Sequence, residues 1–291
     1  MRRLGSGEET ARERSKVVFE LKAKYKLSML LDIAGLNPYY YHVKRFSKPD
    51  KYATAKVKIT EIFHDNKGRD GYRRITGELL KAGIKLNHKT VERLMKGLGI
   101  KCQVRMKKYR SYKGEVGKIA PNLLERNFKA SRPNEKWVTD VTEFSLFGQK
   151  LYLSPILDLY DRSIITYTLY EHPVLSMVTD MVKSAVKKES IKNDLILHSD
   201  QGWHYQHFAY QRLLEENGIT QSMSRKGNCL DNAVMENFFG HLKSELLYIQ
   251  KFDSIEHFKS ELTSYIDWYN NKRIKVKFGY VAPLDYRRQA A

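Results

Sequence analysis

The sequence predicts an α/β protein: a mixed sheet with flanking helices, preceded by a helical, strongly basic front end. Two observations carry this. From Asn134 onward, β-rich runs alternate with amphipathic segments of helical period, whereas the stretch before it reads as short helices and turns. Charge divides at the same place. Residues 1–130 hold 32 basic and 13 acidic side chains, and residues 131–291 hold 20 of each, so the net +19 lies wholly in the first part. Such asymmetry marks a polyanion-binding module joined to something else. Nucleic acid is favoured over membrane, because the basic stretches form no sustained lipid-facing amphipathic helix.

In chain order, residues 8–26 read as a charged helix. SMLLDIAGL follows as a shorter apolar segment, then NPYYYHVKRF, with Asn37 and Pro38 placed to start another helix. This is either a helix-turn-helix or a plain helical hairpin, over residues 1–55. A second candidate occupies residues 56–105. YRRITGELLKA places Ile75, Leu79 and Leu80 on one face, Gly83 stops the helix, and Asn87 precedes HKTVERLMKGLGI, with Val91, Leu94 and Met95 facing inward. Lys89, Arg93 and Lys96 recur on another face of that second helix, with Arg73 and Arg74 nearby. A recognition helix needs this split, apolar toward the core and cationic toward phosphates; a solvated basic face shows the same pattern. Residues 106–130 read as a basic, Tyr-dotted linker.

The catalytic candidate is 131–291. WVTDVTEFSL, KLYLSPILDLYD and SIITYTLYE are β-rich runs separated by turn signals, as in an antiparallel meander. A helix is expected near 175–190, then the strand DLILHSD, a helix near 205–216, the strand ITQSMS, one helix over 232–248, and a last helix near 254–270 capped by Ser254. Two cysteines, Cys102 and Cys229, imply neither a disulfide framework nor a zinc ribbon. The basic N-terminus has no apolar run behind it, and no stretch approaches a membrane span, so a cytoplasmic location is expected.

Asp140 lies inside the first strand, Asp200 ends the fourth, and Glu236 lies on the helix 232–248. Phosphoryl transfer needs hard cations that stabilise the attacking and leaving oxygens, and carboxylates on strand ends and a nearby helix hold such cations. Spacing proves nothing alone: Asp180 and Glu216 have the same separation as Asp200 and Glu236. Context separates the pairs, since Asp180 and Glu216 fall among other charges on helices. Met235, Phe239, Leu242 and Leu246, widened by Phe238, form an apolar stripe from whose edge Glu236 and Lys243 project together. A strand-end cap or buried ion pair is the competing reading of the acids.

WVTDVTEF, LDLYDRSII, HSDQGWHY, SRKGNCLDNAVMENFFGHLKSE and WYNNKRIKVKFGYVAP resemble, in that order, the transposases of insertion sequence family three, whose second reading frame encodes a retroviral-integrase-like core. GYRRITGELL and NHKTVERLMKGLGI resemble that family's upstream helix-turn-helix. The resemblance implies a ribonuclease-H-like, five-stranded mixed sheet. It implies Asp140, Asp200 and Glu236 as catalytic ligands of Mg2+ or Mn2+, two ions, and Lys243, with Arg225 and Lys226, as DNA contacts. It implies that the chain binds terminal inverted repeats and target DNA, cleaves and joins strands, and acts as a homo-oligomer on DNA in the bacterial cytoplasm, near the nucleoid. The family's first-frame product leaves two alternatives open, a chain that acts alone and one that acts as a frameshift fusion with that product. No His-His-Cys-Cys set occurs, so no structural zinc is expected, and Lys275 stands where the family has His. The alternatives are a non-catalytic DNA-binding regulator and, from the 19 tyrosines, a tyrosine recombinase, for which no Arg/His cluster can be assembled.

Overall fold

One interrupted strand organises the sheet. The computed structural model describes residues 7–38, 50–104, 119–191, 194–225 and 228–289. In it, β1 (Lys136–Thr139) and β2 (Thr142–Leu146) both pair antiparallel with β3 (Gln149–Asp158). They keep a single register, with Thr139 opposite Ile156 and Thr142 opposite Leu153. β1 and β2 are therefore two halves of one strand, broken at Asp140 and Val141. β4 (Ile164–Tyr170) pairs antiparallel with the far side of β3, while β5 (Ile196–Ser199) and then β6 (Thr220–Met223) add parallel beyond β1. The strands thus fill five positions in the order β4-β3-β1/β2-β5-β6, antiparallel on one side and parallel on the other. This is the expected ribonuclease-H-like mixed sheet.

Helices cover both faces, and strand alternation decides which residue meets which helix. Trp137 joins Ile156, Leu197, Met177, Met181 and Leu214 on the face covered by α6 (Leu175–Lys188) and α8 (Phe208–Glu216). Its neighbour Val138 joins Met235, Phe238, Phe239, Phe258 and Leu262 on the other face, under α9 (Ala233–Leu242) and α10 (Ile255–Asn271). Each such side chain, fully buried, contributes roughly 1.5–3 kcal/mol of transfer free energy. The short α7 (Trp203–Gln206) lies between β5 and α8. The N-cap of α10 is Ser254, whose Oγ accepts from His257 N–H at 3.0 Å.

The expected helix over 232–248 forms without a break from Ala233 to Leu247, but its hydrogen bonding changes along its length. A tight 3₁₀ turn at Cys229–Asn232 leads into α9, and a wide π turn follows at Lys243–Leu247. The apolar stripe is nevertheless real: Met235, Phe238, Phe239, Leu242 and Leu246 are all buried.

The chain divides into two compact units, residues 1–58 and 59–291. In the first, α1 (Gly7–Leu21) and α2 (Leu27–Ala34) close over Val18, Leu30, Leu31 and Leu36, and α2 ends at Gly35 in the left-handed region. The helix expected in NPYYYHVKRF falls mostly on residues 39–46, outside the described residues. A further helix, α3 (Ala53–Asp65), runs from the first unit into the second.

The second unit holds the sheet together with α4 (Tyr72–Lys81) and α5 (His88–Gly97). These meet through Ile75, Leu79, Val91, Leu94 and Met95. Gly83 adopts φ +79, which lets Ile84 N–H return to Leu79 O, and Asn87 Oδ1 caps α5 by accepting from Lys89 N–H at 2.9 Å. Leu80, expected inward, is 51% exposed because it falls one position off the stripe set by Ile75 and Leu79. Residues 119–130 lie on the sheet: Leu124 is buried in the core, and Leu123 N–H donates to Ser222 Oγ.

The far end is closed by α11 (Pro283–Arg288). Arg287 reaches the fully buried carboxylates of Asp158 and Asp161, both at 2.9 Å, and Glu189 at 2.6 Å. The acids of the LDLYD segment are thereby structural. Among the described residues, no helix is long and apolar enough to cross a membrane.

Candidate active site

Parallel pairing of β1 with β5 sets Lys136 beside Ile196, Trp137 beside Leu197 and Val138 beside His198. Carried two residues further, that register puts Asp140 and Asp200 side by side where the two strands end. Neighbouring strands run about 4.8 Å apart, so the two carboxylates share one small region. It lies at the carboxyl ends of parallel strands, where open α/β sheets place their sites.

Three local devices hold them there. Asp140 turns back on its own chain, Oδ1 accepting from Val141 N–H at 2.8 Å. Asp200 Oδ1 accepts from Gly202 N–H at 2.9 Å, and a Cβ on Gly202 would come within 3.0 Å of that oxygen. Asn232, at the foot of α9, donates from Nδ2 to Thr139 O at 3.4 Å. That contact seats the helix bearing Glu236 against the strand, one residue before Asp140.

The electrostatics follow from crowding. Burial, then the neighbouring Asp200 and Glu236, hold the Asp140 carboxyl well above the usual carboxylate range, while Val141 N–H and Lys243 pull the other way. Burial also raises Asp200, opposed by Gly202 N–H and His204, and burial raises Glu236. Lys243 is half-buried, its Nζ 5.8 Å from the Phe144 ring centroid. Burial lowers its proton affinity, and Asp140 and Glu143 restore part of it. Tyr205, 1% exposed, is held far above the ordinary tyrosine range by burial and by the charges of Asp140 and Asp200. It belongs to the core on one sheet face within electrostatic reach of both acids, a role its place in HSDQGWHY did not reveal.

The donor set is all oxygen and short of positive charge, which is what a hard divalent cation compensates. Among the described residues, however, no three His, Cys, Asp or Glu side chains are gathered tightly enough to grip an ion together. Asp140 and Asp200 form the nucleus of the site, and Glu236 acts on it from α9 within electrostatic reach.

The cationic candidates have several placements. Lys89, Arg93 and Lys96 are exposed on α5, as is Arg73 on α4. Arg74 turns inward to Asp70 and Glu245. Arg225 is partly exposed but bonds Asp231 through Nε at 2.9 Å and Nη2 at 3.0 Å, where Arg126 and Asn122 also converge. This knot holds the loop that enters α9. Lys226 lies outside the described residues. The decoy acids form surface pairs, Asp180 with Lys183 and Glu216 with Arg212. Lys275 is half-buried, its Nζ donating to Tyr269 Oη at 2.8 Å.

Comparison with known proteins agrees with this layout. Residues 130–229 and 236–290 match models described as integrase core domains, and residues 50–108 match one described as an HTH-like domain. The chain is 53% identical over 276 residues to InsK of insertion sequence element IS150 from Escherichia coli (strain K12), a protein assigned as a transposase, covering 94% of this chain and 98% of InsK. It is 36% identical to the transposase for insertion sequence element IS904 of Lactococcus lactis, covering 79% and 92%. To the transposase InsF for insertion sequence IS3A of Escherichia coli it is 31% identical, covering 79% and 81%.

Proposed function

The chain belongs to the transposases of insertion sequence family three, and on that premise we propose how its residues divide the work of a polynucleotidyl transferase. Residues 56–105 are the DNA-reading element and residues 131–291 the catalytic core. Asp140, Asp200 and Glu236 are the catalytic carboxylates. They would hold Mg2+ or Mn2+, as two ions, and when bound the cation supplies Lewis-acid stabilisation of the attacking and leaving oxygens. The observation that carries this reading is the β1–β5 register that brings Asp140 and Asp200 together, with α9 seated over them.

The reaction has two displacements. Water attacks a phosphodiester at the element end, releasing a 3′-hydroxyl and leaving the 5′-phosphate on the other fragment. That hydroxyl then attacks a target phosphodiester, forming one P–O bond and breaking another. The protein positions and stabilises charge rather than forming covalent bonds. Lys243 neutralises a DNA phosphate beside Asp140, and Arg225 and Lys226, which precede α9 in the chain, are assigned to contacts with the same DNA. Lys89, Arg93, Lys96 and Arg73 grip the terminal inverted repeats. Arg74, folded inward, serves that surface indirectly. Work on two DNA partners calls for a homo-oligomer on DNA, in the bacterial cytoplasm at the nucleoid, acting either alone or joined by frameshift to a first-frame segment.

Purified protein, labelled element ends and Mg2+ should yield nicked and joined products that vanish in Asp200→Ala. Binding without cleavage in the unsubstituted chain would favour a DNA-binding regulator instead.

A further inference from the structure

Two residues beyond Lys243, a buried carboxylate gathers donors from three distant segments. Glu245 is 1% exposed. Its oxygens accept from Arg273 Nε at 2.9 Å and Nη2 at 2.7 Å, from Arg74 Nη2 at 3.2 Å and from Tyr265 Oη at 2.9 Å. Its backbone carbonyl accepts from Arg69 Nε at 2.8 Å. Arg74 is shared with Asp70 at 3.1 Å, and Arg69 lies against the rings of Tyr265 and Trp268. Burial would raise this carboxyl, but Arg273 and Arg74 hold it at about 2.

The backbone at this point departs from the α-helix. Tyr248 N–H donates to Lys243 O at 2.9 Å, closing a π turn over Lys243–Leu247. Such widened turns are rare and occur where neighbouring groups fix them, often at functional sites. Residues two apart project from opposite sides of a helix. With Glu245 drawn inward, Lys243 is left on the Asp140 side, where the two charges act on each other. A buried ion cluster is a poor device for stability alone, since apolar residues of like volume serve as well or better. Its location on the wide turn calls for another explanation.

We propose that Glu245 is the positioning residue for Lys243: held by Arg273, Tyr265 and Arg74, it fixes the wide turn that presents the lysine to the phosphate beside Asp140, and through Arg74 it ties that turn to α4 of the DNA-reading element. This rests on the role given to Lys243 and Asp140 above. It makes Glu245 part of the reaction without contact to DNA.

A double-mutant cycle on the full chain tests it, using Glu245→Gln, Lys243→Ala and their combination, with element-end duplexes and Mg2+. Glu245→Gln should slow cleavage at saturating DNA by about tenfold or more, as misplacement of a positioned group does. In the Lys243→Ala background it should add almost nothing. In the chain free of DNA and cation, acylation of Lys243 should rise in Glu245→Gln relative to Lys89 and Lys96. Multiplying losses, or unchanged Lys243 reactivity, would overturn the inference while leaving the transposase reading intact. Failure of the unsubstituted chain to cleave would overturn both. Should Glu245→Gln not fold, Tyr265→Phe, which removes one hydrogen bond and keeps the ring, takes its place in the same comparisons.

Discussion

Asp140 stands opposite Pro155. The shared register of β1 and β2 against β3 puts the carboxylate and the imino acid face to face at the break between the two half-strands. Pro155 O accepts from Thr139 Oγ1 at 2.9 Å, so this edge of Pro155 faces the broken strand. Proline has no N–H to return. The ladder opens at the residue that must leave it.

Supplying the missing donor should close that gap. Pro155→Ala is expected to keep stability within about 1 kcal/mol, the ladder bond being offset by a looser unfolded chain. Cleavage of element ends should fall by about tenfold as Asp140 is drawn into the ladder. Urea unfolding and a cleavage time course on the same preparation check both.

The raised proton affinities of Asp140 and Asp200 have a stability consequence whose sign is opposite to that of ordinary salt bridges. The folded chain holds these protons more tightly than the unfolded chain, whose carboxyls titrate near 3.9. Without cation, their contribution is therefore most favourable in acid and is lost as pH rises through the raised folded values. Asp200→Asn should raise the cation-free Tm at pH 7 by about 2–4 °C, equivalent to roughly 1 kcal/mol, while abolishing cleavage. The gain should shrink toward pH 4, which thermal scans across that range would measure.

Much of this was legible in the chain. The alternation in WVTDVTEFSL and KLYLSPILDLYD gave the strands, and an acid amid apolar strand residues marked Asp140. The break at Asp140 was not legible, because it depends on Pro155 arriving opposite, which is a matter of register. Arg74 and Arg225 were ambiguous for a related reason. A charge near the surface of a helical wheel reads the same whether it meets DNA or a buried partner, and only tertiary placement separates them. The π turn at Lys243–Leu247 also left no trace, since the apolar stripe continues to Leu246 across it.

The exposed cations on α5 should act through phosphates. Replacing Lys89, Arg93 and Lys96 together by Ala is expected to weaken binding to all duplexes alike. It should also reduce the slope of log K against log salt by up to about 0.9 for each phosphate that is no longer neutralised. Titrations at several salt concentrations, on end and unrelated duplexes, would show whether sequence preference changes instead.

Arg287 neutralises two acids at the back of the sheet. Asp158 and Asp161 have side chains with no exposure, and Arg287 itself is 17% exposed. Arg287→Ala should cost about 3–5 kcal/mol, chiefly from the carboxylates left uncompensated. The Asp158 carboxyl, already raised by burial, would then titrate higher still in the folded chain, so the deficit should narrow as pH falls from 7 toward 5. Denaturant midpoints at the two pH values measure it.

The most direct measurement is the thermal shift produced by Mg2+ or Mn2+ in the absence of DNA, on the unsubstituted chain and on Asp140→Asn, Asp200→Asn and Glu236→Gln. A cation shared by these carboxylates should raise the Tm of the unsubstituted chain, by the equivalent of about 2.7 kcal/mol at a hundred times its dissociation constant. The Asp140 and Asp200 substitutions should abolish the rise, and the Glu236 substitution should diminish it. An equal rise in all four proteins would contradict the account, because the cation would then be held elsewhere.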